Sequence, residues 1–266
     1  MSTYVISDIH CCYNEFLNML DKISFSNDDY LIIAGDYIDR GKQSYEMLRW
    51  IEHCPDNIRL LRGNHEEEFV AYIDFMFQID QKWELGSDLV SNEDAAALYD
   101  SVKYYLKNMK PSAIMYFDAY GTIDHLLKYS SVTLSDLKSW VKIIRKMPYY
   151  CEINIGKKKC IVVHAGFTER LENIIPLFSS LEQFYLYARA ESCQLGGIQH
   201  GMVIAGHTPT IHKEGFAYNK GNVFRYYDKI KDCIFYDIDC GCVFRGQVSD
   251  AKLACIRLED EKIFYG

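Results

Sequence analysis

No apolar run in this chain approaches the roughly 18 residues that a membrane-spanning helix requires, and the longest runs are strand-length. The N-terminus, Met-Ser-Thr-Tyr-Val-Ile-Ser, has neither the basic start nor the long apolar segment of a secretory signal. Paired Cys-x-x-Cys motifs are missing too. The 10 cysteines sit at irregular spacings, and without an export signal they are expected to be reduced thiols rather than a disulfide framework. Positive charge is in deficit: 29 Lys and Arg against 37 Asp and Glu leave a net charge of −8. That balance argues against nucleic acid as the main partner, because phosphate backbones attract basic faces. There is no internal repeat, low-complexity tract or linker. What is present is ordinary globular composition, 49% hydrophobic and 25% charged, which excludes intrinsic disorder. A chain of 266 residues fits one large domain or two small ones. The expectation is a soluble cytoplasmic protein.

The first third alternates strand-like and helix-like patterns. Tyr4-Val5-Ile6 is a short apolar run, followed by Phe16, Leu17, Leu20 and Ile23 at helical spacing. Leu31-Ile32-Ile33-Ala34 ends at Gly35, and Tyr45, Leu48 and Ile51 then predict a helix stopped around Pro55. Ile58-Arg59-Leu60-Leu61 is a third strand, ending at Gly63. This alternation predicts a layered α/β domain with a mostly parallel sheet.

From about residue 67 to 147 the texture changes. Gly86 and Gly121 are the only glycines there, and between Glu67 and Lys110 acidic residues outnumber lysines with no arginine at all. The segment reads as helical, broken at Pro111 and Gly121. It is either a solvated helical face or a cap over an active site. Strand character returns at Cys151–Ile155 and Cys160–Val163, joined by Gly156 and lysines as a predicted hairpin, and again at Met202–Ala205, Ile234–Ile238 and Leu253–Leu258.

Five short blocks carry the chemistry: Asp8-Ile9-His10, Gly35-Asp36-Tyr37-Ile38-Asp39-Arg40-Gly41, Gly63-Asn64-His65-Glu66, His164-Ala165-Gly166 and Gly206-His207-Thr208. Each begins within a residue or two of the end of a predicted strand. Open α/β sheets place their sites at such strand ends, so the Asp, His and Asn side chains are expected along one sheet edge.

In order and spacing these blocks resemble the calcineurin-like metallophosphoesterases, in the branch that holds bacterial protein Ser/Thr phosphatases and symmetrical diadenosine tetraphosphatases. Gly206-His207-Thr208-Pro209-Thr210 and the tail Asp239-Cys240-Gly241-Cys242-Val243-Phe244 are similar to the bacterial forms. The resemblance covers nearly the whole chain. It implies a single domain over 1–266, a β-sandwich of mixed sheets flanked by helices, with a mainly helical insert or cap at about 67–147.

It also implies a two-metal site. Asp8 and His10 would hold the first ion, Asp36 would bridge both, and Asn64, His164 and His207 would complete the second. A mixed oxygen and nitrogen set without thiolate suits Mn, Fe, Zn or Co, and Mn²⁺ is the ion expected. Two such ions about 3.5–4 Å apart can share a hydroxide and clamp both oxygens of an in-line phosphoryl displacement. His65 would be the general acid, with Asp39 fixing its tautomer. Arg40 would bind phosphate oxygens, and Leu186-Tyr187-Ala188-Arg189 is similar to a bacterial Leu-Trp-x-Arg pattern, which makes Arg189 the second phosphate-binding arginine. Arg62 is expected to be structural, pairing with Glu66. One departure from the family pattern matters: Cys11 stands where glycine is usual, followed by Cys12, which raises the question of backbone freedom beside the first metal. Cys11 is read either as an inert buried thiol or as an oxidation-sensitive one.

His53, His125, His200 and His212 lie outside the blocks, and Lys138, Lys142, Arg145 and Lys146 read as a solvated helix face. Tyr116 and Tyr120 are candidates for stacking on a nucleobase. The expected function is a metal-dependent phosphomonoester hydrolase acting on phosphorylated Ser or Thr, with hydrolysis of diadenosine tetraphosphate as the alternative. The expected partner is therefore a phosphoprotein or a nucleotide. A non-catalytic scaffold on this fold would have lost ligand residues, and here every position is filled.

Overall fold

The computed structural model describes residues 1–79, 122–123, 125–126 and 132–266. In chain order the elements begin with β1 (Thr3–Ile6), α1 (Tyr13–Lys22), β2 (Tyr30–Ile33), α2 (Ser44–Glu52), β3 (Ile58–Leu60) and α3 (Asn64–Ile79). After the insert come α4 (Leu134–Ile144), β4 (Tyr150–Ile155), β5 (Lys158–Val163), α5 (Leu181–Tyr187) and α6 (Glu191–Gln194). The chain closes with β6 (Gly201–Ala205), β7 (Phe224–Asp228), β8 (Cys233–Asp237), β9 (Ala254–Arg257) and β10 (Lys262–Tyr265).

The strands form two five-stranded sheets, ordered β10-β9-β1-β2-β3 and β4-β5-β6-β8-β7. The alternating first third builds the parallel trio β1, β2 and β3, as its pattern predicts. The sheet is nonetheless mixed, because β9 returns antiparallel to β1 and β10 folds antiparallel onto β9. The second sheet repeats the plan, with β5, β6 and β8 parallel and β4 and β7 antiparallel at its edges. This is the β-sandwich of mixed sheets flanked by helices. The hairpin through Gly156 forms as its sequence predicts, with that glycine at φ 62°.

Strand alternation divides the core in three. Val5, Ile32, Ala34 and Ile256 point inward against Val162, Met202, Ile204 and Tyr236 of the other sheet. Tyr4, Ile6, Leu31 and Ile33 point the other way, against Phe16 and Met19 of α1, Met47 and Leu48 of α2, Phe69 and Ile73 of α3, and Trp140 and Ile144 of α4. Ile161, Val163, Val203 and Phe235 cover the outer face of the second sheet with Phe184 of α5. Strands buried on both faces read as continuous apolar runs, which is why β2 and β5 were visible in sequence. Strand β7, Phe-Arg-Tyr-Tyr-Asp, is exposed at Arg225, Tyr226 and Tyr227, so it carries no such signal.

Helices α3 and α4 lie at the two ends of the expected insert. Thr133 caps α4 through a reciprocal bond with Asp136, and Arg49 of α2 pairs with Asp136 at 2.8 Å. Pro111, Gly121, Tyr116, Tyr120 and most of the expected cap lie outside the described residues. Among the described residues no helix is long and apolar enough to cross a membrane. All ten cysteines are free thiols.

Trp140 is fully buried between α4 and the first sheet's helices. Trp140→Ala should therefore lower unfolding free energy by about 3–5 kcal/mol in urea denaturation. Thr133→Ala removes only a cap and should cost about 1 kcal/mol.

Candidate metal centre and active site

Every block sits where a parallel strand ends. Asp8 and His10 follow β1, Asp36 follows β2, Asn64 and His65 open α3 just after β3, His164 follows β5 and His207 follows β6. The two sheets thus present their ligand-type side chains to one edge. Reaching that edge requires tight backbone: Asp8 (φ 53°), His10 (46°), Asp36 (55°), Asp39 (68°), Arg40 (66°) and His207 (74°) all adopt left-handed conformations. For non-glycine residues this costs on the order of 1 kcal/mol each, a concentration of strain typical of functional loops. Two glycines allow the close approach. A Cβ on Gly63 would lie 2.3 Å from Asp36 Oδ1, and one on Gly206 would lie 2.0 Å from Asp8 Oδ2.

Asp36 is at the centre. Its Oδ2 lies 3.5 Å from His10 Nε2 and 3.8 Å from His65 Nε2, and its Oδ1 lies 3.4 Å from His164 Nε2. Two donor groups share it: His10, Asp36 and His65 on one side, Asp36, His164 and His207 on the other, each with its atoms within 4.8 Å of one another. Asn64 Oδ1 is 2.9 Å and His207 Nδ1 3.1 Å from His164 Nε2. Asp8 faces the same cluster but binds the backbone amide of His207 at 3.0 Å and the Ser7 hydroxyl.

These residues fit a pair of cations. His10 Nδ1 and His164 Nδ1 lie 2.9 Å from the carbonyls of Ile38 and Ala34, which places the protons there and turns both Nε2 lone pairs inward. His164 Nε2 and Asn64 Oδ1 are then two acceptors 2.9 Å apart, with His207 Nδ1 3.1 Å from the first, an arrangement that a cation would satisfy. Burial holds the proton affinity of His10, His164 and His207 below the usual imidazole range, which favours their neutral forms. Burial, followed by the charges of Asp8 and Glu66, pushes the Asp36 carboxyl well above its ordinary range. A carboxylate in that position calls for positive charge beside it.

His65 Nδ1 is 2.7 Å from Asp39 Oδ2, the pairing expected from sequence. Its Nε2 lies 3.0 Å from the Arg40 guanidinium, which also reaches His10 Nε2 at 3.1 Å. Arg40 is exposed at the mouth, and so is Arg189. Arg189 donates to the His207 carbonyl at 3.3 Å and the Thr208 hydroxyl at 3.4 Å, which brings it beside His207. All ten residues singled out in the sequence are thereby brought together.

Arg62 does not pair with Glu66. It binds Glu67 at 2.9 Å and the Ile144 carbonyl at 3.0 Å, tying α3 to the end of α4. Glu66 is instead fully buried, and its carboxylate accepts the amides of Asp36 (2.8 Å), Gly63 (2.9 Å) and Tyr37 (2.9 Å). Burial pushes its carboxyl up to about 7. A glutamate in the first turn of a helix reads as a dipole partner, so sequence offered no sign of this clamp. Asp237 and Asp239, at the end of β8, are also buried and were missed as site neighbours. Burial and the charge of Asp239 raise the Asp237 carboxyl, and burial and the charge of Asp8 raise that of Asp239. Cys11 does occupy glycine-like backbone, at φ 54°, with its thiol buried against Ser44 Oγ at 3.3 Å. Burial raises that thiol well above its ordinary range, which favours the inert reading.

Glu66→Ala would strand three buried amides. At about 1–3 kcal/mol for each unsatisfied group, the variant should lose at least about 3 kcal/mol of stability by chemical denaturation. It should also bind metal poorly, because Asp36 hangs from the same loop.

The comparisons agree with this geometry. The family model for calcineurin-like phosphoesterases matches residues 1–210. A symmetrical bis(5'-nucleosyl)-tetraphosphatase of Buchnera aphidicola subsp. Baizongia pistaciae is 34% identical over 167 residues, covering 62% of this chain and 44% of that relative. The one from Wigglesworthia glossinidia brevipalpis is 51% identical over 67 residues, 25% of each chain. The match thus spans less than half the length of these curated relatives. Among solved structures, one described as a candidate diadenosine tetraphosphatase has a TM-score of 0.54 at 14% identity, covering 99% of this chain and 92% of that one. A protein serine/threonine phosphatase from Saccharomyces cerevisiae, similar to human phosphatase PP5, gives 0.50 at 14% identity, with 100% and 79% covered. At those identities the likeness is one of fold. With residues 1–210 matched, the chain belongs to the calcineurin-like phosphoesterases.

Proposed function

We propose that this enzyme hydrolyses a dinucleoside polyphosphate such as diadenosine tetraphosphate, with Mn²⁺ as the preferred metal. The observation that carries the substrate is the naming of its sequence relatives as symmetrical bis(5'-nucleosyl)-tetraphosphatases. The sequence reading ranked phosphorylated Ser or Thr first, and the relatives reverse that order. Asp8, His10, Asp36, Asn64, His164 and His207 would hold two ions between them. Bound there, the ions would supply Lewis-acid polarisation of the phosphoryl group and activation of water at neutral pH. Residues 1–266 act as one domain, with a mainly helical insert or cap at about 67–147.

The protein groups have separate tasks. Arg40 and Arg189 flank the cluster from its two sides, and their planar forks match phosphate oxygens bidentately. On a chain of net charge −8 they supply local positive charge for a polyanion. His65, held at Nδ1 by Asp39, presents Nε2 to the leaving oxygen and protonates it as the P–O bond breaks. Symmetrical hydrolysis of diadenosine tetraphosphate adds one water and releases two adenosine diphosphates. That leaving group departs readily. The buried His65–Asp39 pair is one observation that favours the phosphoserine reading, because a serine alkoxide needs a proton far more.

After loading with Mn²⁺, turnover of diadenosine tetraphosphate should exceed that of phosphoserine peptides and mononucleotides in a substrate panel. Higher kcat/KM on the phosphopeptides would reverse the assignment. Chelation should abolish turnover. Arg40→Ala and Arg189→Ala should raise KM and lower kcat/KM by roughly tenfold or more while metal content stays unchanged. Wild-type kinetics in the Arg189 variant would remove it from the site.

A further inference from the structure

Asp39 is held by a residue that lies 83 positions away in sequence. The hydroxyl of Thr122, in the segment between α3 and α4, accepts the Asp39 backbone N–H at 2.9 Å and donates to Asp39 Oδ1. The other carboxylate oxygen, Oδ2, receives His65 Nδ1 at 2.7 Å. A hydroxyl has one proton to give and lone pairs to accept with, and both functions are directed at the same residue. With each oxygen bound from a different side, the carboxylate cannot rotate without breaking one contact.

The anchor itself is firm. Thr122 is buried, and its neighbours Ile123 and Leu126 are fully buried in the core that also holds Phe69 of α3 and Trp140 of α4. Asp39, in contrast, sits on strained left-handed backbone at φ 68°, in a loop with exposed Arg40 next to it. A strained loop holds one geometry only where its surroundings over-determine it. The Thr122 contact to both the amide and the carboxylate of Asp39 does that.

We infer that Thr122 is a positioning residue for the general acid: it locks Asp39, which in turn holds the ring plane and tautomer of His65. The inference rests on the reading of His65 as the leaving-group acid. Thr122 thus acts on the chemistry only indirectly, through one hydroxyl on Asp39.

The test is the dependence of kcat on leaving-group pKa across a series of substituted phenyl phosphates, from p-nitrophenyl phosphate to phenyl phosphate, in the Mn²⁺-loaded enzyme. An acid that is lost or misaligned matters most for the poorest leaving group, where such groups contribute roughly 10²–10⁴-fold. His65→Asn sets the full effect. Thr122→Val should steepen the dependence in the same sense, losing roughly tenfold on phenyl phosphate and less than about twofold on p-nitrophenyl phosphate. Thr122→Ser keeps the hydroxyl and should restore the wild-type slope. Metal content and melting temperature are followed in every variant, and Thr122→Ala serves in the same role if Thr122→Val does not fold. A purely structural role would lower all substrates equally and would not be rescued in slope by serine. A steepened slope in His65→Asn with a wild-type slope in both Thr122→Val and Thr122→Ala would overturn the role of Thr122 and leave His65 as the acid. Unchanged slopes in His65→Asn as well would overturn the general-acid reading and this inference with it.

Discussion

A single buried carboxylate sets the terms for this molecule. Asp36 is 2% exposed, and around it stand the inward nitrogens of His10, His65 and His164 together with two further carboxylates, Asp8 and Glu66. Moving one ionised carboxylate out of water costs several kcal/mol even after relaxation, and placing others nearby adds repulsion. The response of the folded chain alone is to favour the protonated acid. Two divalent ions on opposite oxygens would reverse that preference, converting a costly cluster into a neutralised one. The imidazoles of His10 and His164 are prepared for this, since burial lowers their proton affinity and backbone carbonyls fix their tautomers.

Much of the fold can be understood as scaffolding for that arrangement. Two parallel trios of strands end at a common edge, and the loops that follow turn at once through left-handed conformations to aim their side chains. Glu66 then ties the β2 loop to the start of α3 by taking three backbone amides, so that Asp36, Asn64 and His65 move as one unit. Arg62 adds a second tie between α3 and the end of α4. Strain in the loops and the burial of Glu66 both destabilise the protein locally. The double-sided apolar core, with Val5, Ile32 and Ile204 fully buried between the sheets, offsets them.

Sequence made the ligand blocks legible because each combines two independent signals, a strand-like run and a ligand-type residue directly after it. Asp8, His10, Asp36, Asn64, His164 and His207 all announce themselves this way. Glu66 does not, since its meaning depends on which backbone amides fold over it. Arg62 was therefore matched with the wrong acid: Glu67, one residue on, points back along the helix to meet it. The exposed strand β7 lacks an apolar alternation and stays hidden, and the parallel pattern of the first third could not reveal that β9 and β10, some 200 residues later, would complete the same sheet antiparallel. Cys11 shows the reverse case. The substitution for glycine was visible, but only the structure shows that cysteine adopts the left-handed backbone and hides its thiol beside Ser44.

Asp36 is proposed to carry two ions at once, and diffraction tests that most directly. Crystals grown with Mn²⁺ and measured at the manganese absorption edge should show two anomalous peaks about 3.5–4 Å apart. One peak should lie between Asp36 Oδ2 and His10, the other between Oδ1 and the His164–His207 pair. A single peak, or two peaks neither of which contacts Asp36, would contradict the account.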